Sequence, residues 1–126
     1  MAVFKKHYTP DEARKLLPQV MEWLTELQST RDLLTHLDEQ VGKALGMGDD
    51  VGGEVVNRYI RTLGKVKDIL QRFRTREIQI KDLDRGLIDF PAYVAGKEVF
   101  LCWEKGEDDI EFWHDLTTGY GGRERL

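Results

Sequence analysis

Seven residues in the second half of this 126-residue chain carry groups that bind divalent transition metals: Asp82, Asp84, Asp89, Cys102, Glu104, Glu107 and His114. Carboxylate, thiolate and imidazole are the usual donors for such ions. A metal or small-ligand site centred on Asp89, Cys102, Glu104 and His114 is the reading in which these groups act together. Their spacing matches no established ligand pattern, and a lone histidine and cysteine on a sheet more often serve packing or hydrogen bonding. No motif calls for a cofactor, so a divalent transition metal is the one prosthetic group the donors would suit.

Cys102 and His114 raise a second chemistry, a thiolate activated by a neighbouring imidazole. It requires both side chains on one face of a sheet. In an antiparallel pair, directly opposed residues have a constant sum of numbers, and Cys102 and His114 share a face only when that sum is even. No third member of a triad is evident, so a buried inert thiol is the default and no catalytic residue is assigned. The chain reads as a binding protein before an enzyme. Asp82, Asp84 and Asp89 beside Arg85 read as turn residues that accept backbone N–H groups and pair with the arginine. Gly119-Tyr120-Gly121-Gly122-Arg123 offers backbone donors and a cation to an anion, without the lysine and following helix of a phosphate loop. Arg85, Asp89, Trp103, Trp113, Tyr120 and Arg123 are therefore the candidates for contacting a small ligand.

A third feature is electrostatic. Arg58, Arg61, Lys65, Arg72 and Arg76 recur at helical spacing on one face, while Glu104, Glu107, Asp108, Asp109, Glu111 and Asp115 concentrate negative charge further on. A basic stripe can meet a nucleic-acid backbone or an acidic protein. The net charge of -4 weighs against nucleic acid as the main partner.

The elements that position these residues follow from periodicity. Thr9-Pro10-Asp11-Glu12 reads as a helix start with a capping box. Beyond it, Ala13, Val20, Leu27, Leu34 and Val41 fall on one heptad position, and Leu16, Trp23, Thr30, Leu37 and Ala44 on the position three residues later. Pro18 lies off this seam and predicts a bend, not a stop. Glycines between Gly46 and Gly53 supply a reversal. Val56, Leu63 and Leu70 then alternate with Tyr59, Val66 and Phe73, as far as Glu77. Two heptad segments joined by a short loop predict an antiparallel, coiled-coil-like helical hairpin over residues 9–77. Leu17, Leu24, Leu33, Val55, Ile60 and Ile69 make the stripe wider than two helices need, which asks for a sheet or a second copy to cover it.

After Glu77 the period drops to two residues. Ile78–Lys81, Leu87–Phe90 ahead of Pro91, Val99–Glu104 and Ile110–His114 predict a three- to four-stranded antiparallel meander over residues 78–115, with 116–126 as a C-terminal tail. Val99–Trp103 is apolar on both faces, so one face is expected on the helices and the other on a partner.

Lys81-Asp82-Leu83-Asp84-Arg85-Gly86-Leu87-Ile88-Asp89-Phe90-Pro91, followed by Cys102-Trp103, Gly106-Glu107, Trp113-His114 and Gly119-Tyr120-Gly121-Gly122-Arg123, resembles the signature of domain-of-unknown-function family 2203. These are small uncharacterised prokaryotic proteins. The resemblance covers nearly the whole chain and implies a compact domain with no assigned activity. A glycine is common in that family where this chain has Glu77.

Hydrophobic residues at 40% and charged residues at 33% suit one globular α+β domain spanning 1–126 with a heavily solvated surface. The lone Cys102 excludes an intramolecular disulfide and points to a reducing compartment. Met1–His7 lacks the apolar stretch of a signal peptide, and the longest apolar run is too short to span a bilayer, so a cytoplasmic protein without a membrane partner is expected. The leading expectation is a non-catalytic interaction module that forms a homodimer, ahead of metal or ligand binding and of nucleic-acid binding by the second helix.

Overall fold

The structure, a computed structural model, describes residues 1–46 and 53–126. Most of the predicted hairpin tip, residues 47–52, lies outside the described residues. The chain divides into two compact units, Met1–Leu24 with Arg72–Leu126, and Thr25–Gln71. Two helices, α1 (Pro10–Gly46) and α2 (Glu54–Arg74), run through both.

The capping box forms in both directions. Glu12 N–H donates to Thr9 Oγ1 at 3.1 Å, and Thr9 N–H donates to the Glu12 carboxylate at 3.0 Å, satisfying two donors that the first turn leaves open. α1 continues through the exposed Pro18. The two helices run antiparallel: Trp23 packs edge-on against Phe73 at 5.8 Å in the first unit, and Glu26 pairs with Lys65 at 3.7 Å in the second.

In the helical unit the stripe is only partly covered. Leu27, Leu37, Ile69, Thr30 and Thr62 are buried. Leu34, Val41, Val56, Tyr59, Leu63, Val66 and Leu70 are half-buried. Thr30, the polar break in the predicted seam, returns its hydroxyl to the Glu26 carbonyl at 2.6 Å and enters the interior without an open donor.

In the other unit, five strands stand in chain order, all antiparallel: β1 (Gln79–Asp82), β2 (Leu87–Val94), β3 (Lys97–Glu104), β4 (Phe112–Asp115) and β5 (Glu124–Arg125). The sheet thus exceeds the predicted three or four strands. The fifth comes from the segment expected as a tail. It is two residues long, with no apolar alternation to announce it, and is held by Phe112↔Arg125 and Trp113↔Glu124 pairing and by Leu126 N–H on the Glu111 carbonyl at 2.9 Å.

β2 also runs past Pro91 instead of ending before it. β1 reaches only as far as Asp89, so the outer edge of β2 at Pro91 has no strand partner and a missing N–H leaves no gap in the ladder. The Pro91 carbonyl there accepts Tyr8 N–H at 2.7 Å. β2 turns into β3 through Ala95 and Gly96, both at positive φ (51° and 79°), the backbone of a two-residue hairpin matched to strand twist.

One face of the sheet carries Ile88, Phe90, Ala92, Val99, Leu101 and Trp103, all fully buried. The first turns of α1 lie over it: Arg14 donates to the Ile110 carbonyl at 2.9 Å, and Leu24 presses so close to Gly86 that a side chain there would meet it at 3.1 Å and Lys105 at 2.7 Å. The opposite face carries Asp89, Pro91, Phe100, Cys102 and His114, also buried. A partner is therefore not needed to cover β3, contrary to the expectation from its two-sided apolar sequence, because the chain's own termini do so. Phe4 packs edge-on against Phe100 at 5.4 Å, and Arg123 reaches Cys102.

The N-terminal strap is fastened by two carboxylates. Glu98 accepts Val3 N–H (2.8 Å), Phe4 N–H (3.0 Å) and His7 Nε2 (2.7 Å), and these bonds hold its carboxyl at about 2, well below the usual range. Glu77 accepts Lys5 N–H (2.9 Å) and Lys6 N–H (2.7 Å). Glu77 itself sits at φ 56°, a left-handed conformation that explains why glycine suits this corner.

Candidate functional site

The register of three neighbouring strands gathers Asp89, Cys102 and His114. Asp89 on β2 stands directly opposite Cys102 on β3, and Cys102 stands opposite Phe112 on β4, two residues before His114. The β3–β4 sum is 214, from Cys102↔Phe112 and Phe100↔His114. It is even, so Cys102 and His114 share a face. Their relative exposures are 1% for Asp89, 0% for Cys102 and 2% for His114. Among the described residues this is the one group whose potential ligand atoms all lie within 4.8 Å of one another.

Hydrogen bonding orients the imidazole. His114 Nδ1 lies 2.7 Å from the Asp115 carbonyl oxygen, which can only accept, so Nδ1 carries a hydrogen. Nε2 then faces Asp89 Oδ2 at 2.9 Å across a single shared proton. The other carboxylate oxygen, Asp89 Oδ1, is buried without a hydrogen-bond partner. Burial pushes the Asp89 carboxyl above its ordinary range against the opposing pull of His114. Burial, and next the Asp89 carboxylate, push the Cys102 thiol up to about 12. A thiol so hard to ionise is the reverse of what a nucleophile requires.

Beside the cluster, cations and rings stack. Arg85 and Arg123 flank the Tyr120 ring at 4.3 and 4.2 Å, and Arg123 and Arg125 flank Phe112 at 4.0 and 5.0 Å. Arg123 Nη1 donates to both Glu107 carboxylate oxygens, at 3.0 and 3.1 Å, and lies 3.9 Å from Cys102 Sγ. Arg85 pairs with Glu104 at 2.6 Å, and the Tyr120 hydroxyl donates to the same carboxylate at 3.3 Å.

The predicted site residues therefore separate. Asp89, Cys102 and His114 converge; Glu104, two residues from Cys102 on the same face, turns its carboxylate to Arg85 and Tyr120 and leaves the set. Of the ligand candidates, Arg85, Tyr120 and Arg123 meet in the stack. Trp103 and Trp113 point to the opposite face, with Trp103 buried and bonded to the Glu107 carbonyl at 3.0 Å. Asp82 caps the turn as expected, accepting Arg85 N–H at 3.1 Å, while the Arg85 guanidinium prefers Glu104 to the neighbouring aspartates. Arg58, Arg61 and Lys65 are exposed on the helical unit, Lys65 in its pair with Glu26. In the sheet unit Arg76 lies over Trp23 at 4.6 Å and donates to the Arg72 carbonyl. The basic stripe is thus divided between the two units.

Sequence reasoning missed Phe4, Glu77, Glu98 and Phe112. Phe4 reaches the cluster through Phe100, whose ring lies 5.5 Å from that of His114. The signal available was the aromatic Phe4, which closes the short apolar run from Met1 just before Lys5 and Lys6.

Two α-helices and a five-stranded sheet among the described residues, with an acid–thiol–imidazole cluster buried in that sheet, define an α+β protein. The chain belongs to the family described as uncharacterized conserved protein DUF2203, whose profile it matches over residues 6–126. No curated protein and no solved structure matches it. Among the described residues, no helix is long and apolar enough to cross a membrane.

Proposed function

We propose that the protein is a non-catalytic interaction module that pairs with a second copy of itself through its helical unit, completing a four-helix arrangement. The carrying observation is the half-open apolar stripe of that unit: beside the half-buried seam residues, Leu33, Val55 and Ile60 are 39%, 40% and 59% exposed. Two helices cannot enclose a stripe this wide, whereas four can share one interior. Charge favours the same partner. Within Thr25–Gln71, the α1 segment carries Glu26, Asp32, Asp38 and Glu39 against Arg31 and Lys43, and the α2 segment carries Arg58, Arg61, Lys65 and Lys67 against Glu54 and Asp68. A second copy laid antiparallel brings the acidic segment of each against the basic segment of the other. The single thiol suits a cytoplasmic setting.

Sedimentation at micromolar concentration is the test. The expected mass is twice that of the chain, falling to one chain in the Leu33→Glu, Ile60→Glu double variant with helicity retained. A wild-type protein that stays monomeric throughout overturns the proposal.

A further inference from the structure

We infer that Asp89, Cys102 and His114 form a binding site for a thiophilic divalent transition metal, with zinc the ion whose preferences the donors match best.

The donor set is mixed: one carboxylate, one imidazole and the Cys102 thiol, which releases its proton to solvent as the ion binds, and together they suit zinc. Magnesium and calcium are poorly served, since both seek six or more oxygen ligands and the cluster offers a single carboxylate. The donors come from three strands paired in register, so their backbones are fixed before an ion arrives. Around a tetrahedral zinc, with bonds of about 2.0–2.3 Å, neighbouring donors stand roughly 3.3–3.7 Å apart. His114 Nε2 and Asp89 Oδ2, now 2.9 Å apart, need separate by only about half an ångström.

Two details point to a ligand rather than to ordinary packing. The Nδ1–H bond to the Asp115 carbonyl aims Nε2 at the centre of the cluster, the outer contact that metal-bound histidines commonly make. Asp89 Oδ1 is buried and meets no donor in hydrogen-bond geometry, although the Cys102 thiol interacts with the same carboxyl; such buried acceptors are normally satisfied. This oxygen is available as a fourth donor atom. Charge also balances: the Asp89 carboxylate and Cys102 thiolate offset both charges of the ion, while the nearby Arg123 is already matched by Glu107. Glu104, held by Arg85 and Tyr120, takes no part.

Cobalt(II) provides the decisive reading, because Cys102 is the chain's only cysteine. Untagged full-length protein, stripped with a chelator, is titrated with cobalt chloride and then with zinc chloride. The expected result is one ion per chain, a sulfur-to-cobalt charge-transfer band in the near ultraviolet, and loss of that band as zinc displaces cobalt. The wild-type band alone establishes thiolate ligation, whether or not substituted proteins fold. Cys102→Ser, where folded by circular dichroism, loses the band, and His114→Ala weakens binding at least tenfold; Glu104→Gln leaves both unchanged. Absence of the band at saturating cobalt, or zinc uptake that survives both Cys102→Ser and His114→Ala, overturns the site. Neither result bears on the sedimentation mass, so this inference and the self-association stand or fall separately.

Discussion

The two units of the chain solve the problem of apolar burial differently. The sheet unit covers both faces of β3 from within, using the first turns of α1 on one side and the two termini on the other. Among its described residues, the helical unit leaves a line of half-covered Leu, Val and Tyr side chains, with Leu33, Leu45, Val55 and Ile60 exposed. A closed interior is the place to hold buried chemistry, because a carboxylate, thiol and imidazole kept from water interact strongly. A half-open stripe is the place to meet a partner. In keeping with this contrast, ion binding is proposed for one unit and association for the other.

The sharpest way to break this comparison is to remove a large side chain from each unit. Trp103→Ala leaves a cavity and also loses the indole bond to the Glu107 carbonyl, and it is expected to cost about 3–5 kcal/mol in urea unfolding. Ile60→Ala, measured below the association range, is expected to change stability by less than about 0.5 kcal/mol. Equal costs would erase the distinction.

A middle-sized effect concerns the strap that closes the sheet unit. The Glu98 carboxyl is lowered from 4.5 to about 2 by the Val3, His7 and Phe4 bonds. A depressed acid contributes fully above its unfolded value and loses that contribution as pH falls through the folded one. Glu98→Gln is therefore expected to lower the thermal midpoint at pH 6, and the gap from wild type should shrink between pH 4.5 and pH 2. A gap that is constant over this window would show that the strap is not held by the charge. A smaller effect is expected at the β2–β3 turn, where Ala95 occupies a left-handed conformation. Ala95→Asn should stabilise the chain by about 0.5–1 kcal/mol by denaturant titration, since asparagine tolerates that region. A loss of stability would contradict the turn geometry.

Much of the architecture was readable from local pattern. Thr9 and Glu12 announced the start of α1, the change of period after Glu77 separated helix from sheet, and the parity argument identified the condition that places Cys102 and His114 together. Reading the α2 seam went astray by one step. Leu63 and Leu70 were the apolar choice, but Thr62 and Ile69, four residues before Val66 and Phe73, are the buried ones. That row keeps the same seven-residue spacing, and its polar Thr62 disguised it. Pro91 looked like a strand end because whether its edge is paired depends on the length of β1. The cover over the cluster was beyond local reading altogether. Its bonds join backbone N–H groups of residues 3–6 to carboxylates 71–95 positions away, and no periodicity records such a link.

Lys5 and Lys6 lie a few residues before α1, and Glu77 lies a few residues after α2, so their two hydrogen bonds tie together the entry and exit of the whole helical excursion. The excursion is anchored like a stem–loop at its base. Because the entropy of closing a loop grows only slowly with its length, matched insertions or deletions of whole heptads in the distal helices would leave the anchored base intact. Evolution and design alike are then free to lengthen the rods while the pleated half of the molecule stays the same.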